Sequence, residues 1–388
     1  MSDALQLSSL IQLPQPVLTV YLDTNPALSS NCRPTPGYMA WFKKESKPLL
    51  TNDGIHDQIR RVEGFLEEHR SEQRGLALFA GPNTWKEVPL QVEPVNQLHW
   101  GKPQLWQLFC IADQFAPSCI VALDRSGAHL FLYQYGNLSE LETKGLEIDD
   151  SQWKQLEYAR MASPGGRIPH GALRDNYEQR MDEQYLHFCA EVAGAITAFC
   201  KARSAKHIYL LGSDRLTKPV EGKLPHDLRD HVTRISHGTK EDGPVALKKF
   251  VEEQLAAHRT ERKRQLVKDL LNSKKDTVLG PDHTLLQLQR GRLATLVLSQ
   301  GFNPMLYQCT GCGLTMASSA WNCGHSQDLR PEITLHEVLP ELLLKHACNL
   351  ELVDGQADQS FAQAGAIGGW LRNSPDKTAA AGTAQANA

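Results

Sequence analysis

Two spacings of apolar residues alternate along the chain. "VLTVYLDTN" (Val17–Asn25), "GLALFAG" (Gly75–Gly81) and "KHIYLLG" (Lys206–Gly212) are short, nearly unbroken apolar runs, the pattern of buried strands. Between the first two, Ile55, Ile59, Val62 and Leu66 recur every three or four positions with charge between them. That period predicts a helix over Ile55–Arg70 with one face in a core. "SCIVALDRSGAHLFLYQYGNLSELE" predicts two strands joined at Arg125-Ser126-Gly127, a hairpin signal. A helix of about 25 residues is expected to end near Arg203, and a second, strongly charged one to cover Pro244–Leu271. Further on, "LATLVLS" (Leu293–Ser299), "NLELVD" and "AIGGWLR" (Ala366–Arg372) are strand-like. "TLHEVLPELLLKHA" has helical spacing, with a break or kink expected at Pro340, because proline has no N–H and crowds the preceding turn.

Strands alternating with helices predict mixed α/β units. A chain of 388 residues exceeds what one core usually organises. The expected division is an N-terminal α/β domain over 1–114, a central domain over 115–275 and a C-terminal α/β domain over 276–373. The last carries an insertion at about 303–330, and a disordered tail follows over 374–388. Hydrophobic residues make up 41% of the chain, enough for several cores. The net charge of −3 gives no global field for nucleic acid, so any RNA contact must be local. No apolar run approaches the roughly 20 residues of a membrane span. "MSDALQLSSLIQLPQP" has no basic stretch before an apolar one, so a cytoplasmic protein with no membrane partner is expected.

The nine cysteines are scattered apart from one cluster, which favours thiols and a metal site over disulfides. Cys309-Thr-Gly-Cys312-Gly offers two thiolates to one ion, with a glycine that lets backbone N–H groups turn toward sulfur. Cys323-Gly-His325 follows after ten residues. Three thiolates and an imidazole suit a closed, structural zinc site. The alternative is a few free cysteines in a loop. Cys323 and His325 are spaced more tightly than usual, and His346 or Cys348 could replace His325 as the fourth ligand.

"SPGGRIPHGALRDNYEQR" (Ser163–Arg180) is a basic, glycine-containing loop that runs into a helix. Gly165 and Gly166 allow close backbone approach, and Arg167 and Arg174 supply guanidinium forks for phosphate. Tyr177, Arg180, Met181, Gln184, Tyr185 and Phe188 form a mixed stripe at helical spacing. Two readings stay open: the apolar members pack as core with solvated arginines, or the loop and first turn touch RNA phosphate.

Other features carry paired readings as well. In "HRTERKRQLVK", Arg259, Arg262 and Lys263 share a helical face beside Arg264, Lys268 and His258, as a solvated surface or as an RNA or partner face. "YMAWFKKESK" (Tyr38–Lys47) is a half-buried amphipathic helix or a stacking surface for bases. His129 and His207 sit beside strands and are structural. "GSDRLTKPVEGKLP" is a loop after a strand and lacks the order of a phosphate cradle. Asp124, at a strand end, is a turn residue rather than a magnesium ligand, since no second carboxylate clearly joins it.

"HGALRDNYEQRMDEQYLHFCAEVAGAI" resembles the segment that follows the Gly-Gly-Gln loop in the archaeal and eukaryotic class-one peptide release factors and Pelota. Their bacterial relatives, including the hibernation factor Balon, share the likeness. The Ser118–Glu142 segment resembles the opening hairpin of the same domain, and "GAIGGWLR" (Gly365–Arg372) the closing strand of those proteins. The resemblance runs from about Ser118 to Arg372. It implies an RNase-H-like middle domain and a last domain like the kink-turn RNA-binding ribosomal proteins, with a zinc-ribbon-like insertion. It also implies a tRNA-mimicking factor for hibernation, rescue or release. Such a factor binds rRNA, and in some cases peptidyl-tRNA, in the ribosomal A site, with a translational GTPase as a further partner. Gly165, Gly166, Arg167, His170, Arg174 and Arg180, with the basic helices, would then make the contacts.

This chain departs from the family at the loop itself, where Ile168-Pro169-His170 stands in place of Gly-Gly-Gln. Proline offers no N–H to a reacting ester. The reading is therefore of a factor that binds rather than catalyses. The alternatives are a peptidyl-tRNA hydrolase using the 163–174 loop, with His170 as general base, and a non-ribosomal interaction protein that retains the fold.

Overall fold

The computed structural model describes residues 3–52, 54–69, 73–124, 126–134, 136–145, 170–203, 205, 207–236, 243–273, 275–319, 321, 323–325 and 331–372. These fall into two compact units. One is built on residues 115–254, the other on residues 3–114 together with the chain from Leu255 onward.

The N-terminal segment runs through α1 (Asp3–Ile11), β1 (Val17–Asp23), α2 (Gly37–Glu45), a 3-10 turn (Lys47–Thr51), α3 (His56–Glu68), β2 (Gly75–Gly81), β3 (Thr84–Leu90), β4 (Gln97–Gly101) and α4 (Trp106–Gln114). Its antiparallel sheet has the order β3-β2-β1-β4. β1 and β2 are central and covered on both faces, which is why their sequences are apolar runs without alternation. α3 forms where its period predicts, and Ile55, Ile59, Val62 and Leu66 are buried in this core. Each such side chain contributes about 1.5–3 kcal/mol by leaving water. In α2 the aromatic positions Tyr38 and Phe42 lie in the same core with Met39. Lys43 reaches across to Glu67 at 3.1 Å. The half-buried amphipathic reading of this helix is the one its packing shows.

The first-named unit contains β5 (Ser118–Leu123), β6 (Gly127–Gln134), β7 (Asn137–Gly145), α5 (His170–Arg203), β8 (His207–Leu211), α6 (Asp214–Lys223), α7 (His226–Arg229) and β9 (Val232–Ile235). α8 (Gly243–Asn272) follows. The sheet order is β7-β6-β5-β8-β9; the first three strands are antiparallel, and β8 and β9 run parallel to β5. This is an RNase-H-like order, as the resemblance implied. The Ser118–Glu142 stretch gives three strands where two were expected. β7 is an edge strand with mostly exposed, polar positions, so it has no apolar run to announce it. "GSDRLTKPVEGKLP", read as a loop, is largely helix α6, with Thr217 and Val220 buried beneath it. Its amphipathic spacing outweighs the internal Pro219. The long helix α5 spans 34 residues rather than 25, because helix formation begins at His170. Phe188, Val192, Ile196 and Cys200, one turn apart, pack with Cys119, Val121, Leu130 and Leu210 on the sheet.

Asp124 closes the β5–β6 turn: its Oδ1 accepts the N–H groups of Ser126 at 2.7 Å and Gly127 at 3.0 Å. Burial pushes this carboxyl up, but the bonds from Ser126 and Gly127 outweigh it and hold the group below the usual range. His129 Nδ1 lies 3.2 Å from Glu140 and 3.0 Å from Thr143, a cross-strand structural role.

The C-terminal segment runs β10 (Thr277–Leu279), α9 (Pro281–Gln289), β11 (Leu293–Ser299), β12 (Met305–Gln308), β13 (Thr315–Met316), β14 (Glu332–Thr334), α10 (Leu335–Lys345), β15 (Asn349–Val353), α11 (Gly355–Gln363) and β16 (Ile367–Leu371). Its main sheet has the order β10-β16-β11-β15, mixed in direction. Val267 and Leu270 from the end of α8 pack with Val297, Val353 and Phe361. α10 is continuous through Pro340, so the expected break does not occur. Proline removes one helical bond, but Pro340 is buried along with Val338, Leu339 and Leu343, and that burial offsets the loss. α4 and α10 meet where the Trp106 ring stacks on His336 at 4.1 Å, with Lys102 on Glu341 at 2.6 Å.

Candidate functional site

The cysteine cluster grows out of a small sheet of order β13-β12-β14. Cys309 follows β12, Cys312 lies in the turn before β13, and Cys323 and His325 come back before β14. The ligand atoms of Cys309, Cys312, Cys323 and His325 all lie within 4.8 Å of one another. The sulfurs of Cys323 and Cys309 are 3.4 Å apart. Sulfurs bound to a common zinc ion at about 2.3 Å would sit about 3.8 Å apart, so little movement is needed.

The turn is built for this approach. Gly313 N–H bonds the Cys309 carbonyl at 2.8 Å, and Cys309 N–H bonds the Leu314 carbonyl at 2.9 Å. A Cβ at Gly311 would come 2.8 Å from His325 Cδ2, so a larger residue there would force the imidazole to shift. The Cys312 N–H draws the Cys309 thiol down to about 7 against desolvation, helped by Cys323 and the Gly311 N–H. Thiolate is the form that binds metal. Three thiols and one imidazole at this spacing could hold a metal ion and would fill a tetrahedral shell by themselves.

His346 and Cys348, the alternative fourth ligands, stand elsewhere. The Cys348 sulfur faces the Asn349 carbonyl, and burial pushes its thiol up to about 11. The His346 carbonyl takes a bond from Arg372 at 2.6 Å.

Helix α9 ties the excursion to the domain. The Gln289 side chain pairs with the Thr315 backbone like a strand, donating to its carbonyl at 2.8 Å and accepting its N–H at 2.9 Å. Asp282 accepts the N–H groups of Ala317 at 2.7 Å and Ser318 at 3.1 Å. Both anchors escape sequence reading, because a polar residue on a short helix carries no mark of a partner 26 or 35 positions away.

The expected RNA-contacting loop falls differently. Gly165, Gly166 and Arg167 lie outside the described residues. His170, Arg174 and Arg180 belong to the first three turns of α5, and their side chains also lie outside the description. Farther along, Phe188 is buried, and the Tyr185 hydroxyl donates to the Arg215 carbonyl at 3.1 Å. The stripe is therefore core from Tyr185 onward.

The basic face of α8 is neither bare surface nor an open phosphate site. Arg262 grips Glu351 with two nitrogens, at 3.1 and 2.7 Å. Lys263 is 6% exposed and binds Asp354 at 3.1 Å. Arg259 bonds the carbonyls of Leu255 and Gln114. The sequence shows the cations but not the acids that consume them, which lie about 90 residues away.

Residues 103–259 match a family model described as bacterial archaeo-eukaryotic release factor family 10. No curated protein matches the chain. Solved structures that match include the archaeal translation termination factor aRF1, 15% identical over 95% of this chain and 96% of that one, with a TM-score of 0.24. Thermoplasma acidophilum Pelota is 13% identical over 95% of this chain and 93% of that one, at 0.25. Archaeoglobus fulgidus Pelota is 10% identical over 76% and 79%, at 0.30. Superpositions at these scores add no argument of their own. No helix among the described residues is long and apolar enough to cross a membrane. Over residues 103–259 the chain is thus similar to the bacterial archaeo-eukaryotic release factors of family 10, in line with the release-factor likeness of its Ala-Leu-Arg segment.

Proposed function

We propose that this protein is a translation factor that enters the ribosomal A site and holds rRNA or the acceptor end of a tRNA with the segment from Gly165 to Arg180. The observation that carries the reading is the family match over residues 103–259, which encloses that segment and the start of α5. With the basic face of α8 committed to Glu351 and Asp354, the phosphate contacts are assigned to Arg167, Arg174 and Arg180. Binding through so few cations has a modest salt dependence. The logarithm of affinity should fall against the logarithm of salt with a slope of about −2 to −3. Co-sedimentation with 70S ribosomes over a salt series tests this. Pelleting at low salt with that slope supports the reading, and no pelleting at low salt rejects it.

The chain is organised as three α/β domains, and the first and third share a compact unit. The metal is zinc in a structural role, since Cys309, Cys312, Cys323 and His325 leave no position open for water or substrate. The loop occupies its site without cleaving an ester, because Pro169 has no N–H to present there. Release of peptide from ribosome-bound peptidyl-tRNA, lost in His170→Ala, would replace this reading with the hydrolase.

A further inference from the structure

β13 is an outer strand of the small sheet that carries the cysteine cluster. The Leu314 carbonyl takes the Cys309 N–H across to β12, so the backbone groups of Thr315, one residue on, point away from β12. An edge strand normally leaves such groups to water. Here the Gln289 side chain stands in for a further strand. Its Nε2 donates to the Thr315 carbonyl at 2.8 Å, and its Oε1 accepts the Thr315 N–H at 2.9 Å. Nε2 also donates to the Leu285 carbonyl at 3.1 Å, which fixes the amide on its own helix. The reverse orientation would set NH2 against an N–H, so the partners decide which atom is which.

Thr315 is fully buried and runs straight into the metal-binding turn. Its hydroxyl donates to the Gly313 carbonyl at 3.1 Å, and the Gly313 N–H donates to the Cys309 carbonyl at 2.8 Å. Between them lies Leu314, whose carbonyl bonds Cys309 and whose N–H reaches the Cys312 sulfur. Holding the Thr315 peptide therefore holds the backbone that serves the first two thiols, and every bond in this chain is between protein groups. We propose that Gln289 is a positioning residue of the metal site: it keeps the Cys309–Cys312 turn in its binding shape before metal arrives and so raises the affinity of the four-residue cluster. The inference rests on the zinc reading above. A turn already in place loses little further conformational entropy when the ion enters. Removing a partner that orients metal ligands commonly costs about tenfold to a hundredfold in affinity.

Zinc affinity of the full chain, measured by competition with a chromogenic chelator for wild type and Gln289→Ala, tests this. The dissociation constant should rise by about tenfold to a hundredfold in the variant. Equal constants overturn the proposal and leave the zinc reading intact, whereas a wild type that takes up no zinc rejects both. Hydrogen exchange of the metal-stripped proteins separates positioning from general stability. The Gly313 amide should exchange at least about tenfold faster in the variant, with the amides of β11 unchanged. Equal acceleration of Gly313 and β11 would show a merely structural residue and overturns the proposal. If Gln289→Ala does not fold, the metal-stripped wild type decides alone. A protected Gly313 amide supports a preformed turn, and exchange at the free-peptide rate rejects it.

Discussion

Gly369 shows why a short motif can be read from sequence without its reason being visible. A Cβ there would run into the Thr295 carbonyl of the neighbouring strand, and one at Gly368 would come 2.7 Å from the Val278 carbonyl. Both obstacles are backbone, so neither can swing aside. Gly369→Ala should cost about 1–3 kcal/mol and lower the melting temperature by several degrees. Thermal unfolding checks it, and an unchanged midpoint would show that β11 gives way easily. Cys309→Ser should bring bound zinc from about one equivalent to well below half, because one ligand of a closed four-ligand site is lost. Elemental analysis of purified protein reads this directly. The four residues of the cluster were legible because they fall within 17 residues and metal chemistry restricts the types that could serve. The clamps at Asp282 and Gln289 were not, since nothing in their local sequence separates them from solvated side chains.

At the scale of elements, periodicity located α3, α5, α8 and the central strands, because burial on one or both faces writes itself into the residue pattern. It missed β7 and α6, whose exposed or mixed faces leave a weak pattern. Periodicity also shows which side chains share a face of α8 without showing what that face meets. Arg262 lies against Glu351, whose side chain is 13% exposed, so removing the guanidinium strands a largely buried acid. Arg262→Ala should destabilise the protein by about 1–3 kcal/mol, less than a fully buried pair would cost because Arg262 itself keeps some solvent. Denaturant titration measures the loss. The same variant should bind ribosomes as the wild type does, and a fall in affinity with stability unchanged would return α8 to the RNA-binding surface.

For the whole molecule, the sheet order β7-β6-β5-β8-β9 was implied by a resemblance carried on a few segments rather than by any local pattern, since strand order follows from contacts far apart in sequence. The function reading rests on the same middle region. It places the working end of the molecule in the Gly165–Arg180 segment and removes Arg259, Arg262 and Lys263 of α8 from the interface. Arg167→Ala with Arg174→Ala should then weaken ribosome binding by about tenfold to a hundredfold without changing thermal stability, the loss expected for two phosphate contacts. The most direct measurement is hydroxyl-radical footprinting of 23S rRNA in 70S particles with and without the protein. Protection confined to the A-site side of the peptidyl-transferase region, and lost with the double arginine variant, is the predicted result; protection elsewhere, or protection that the double variant leaves intact, would contradict it.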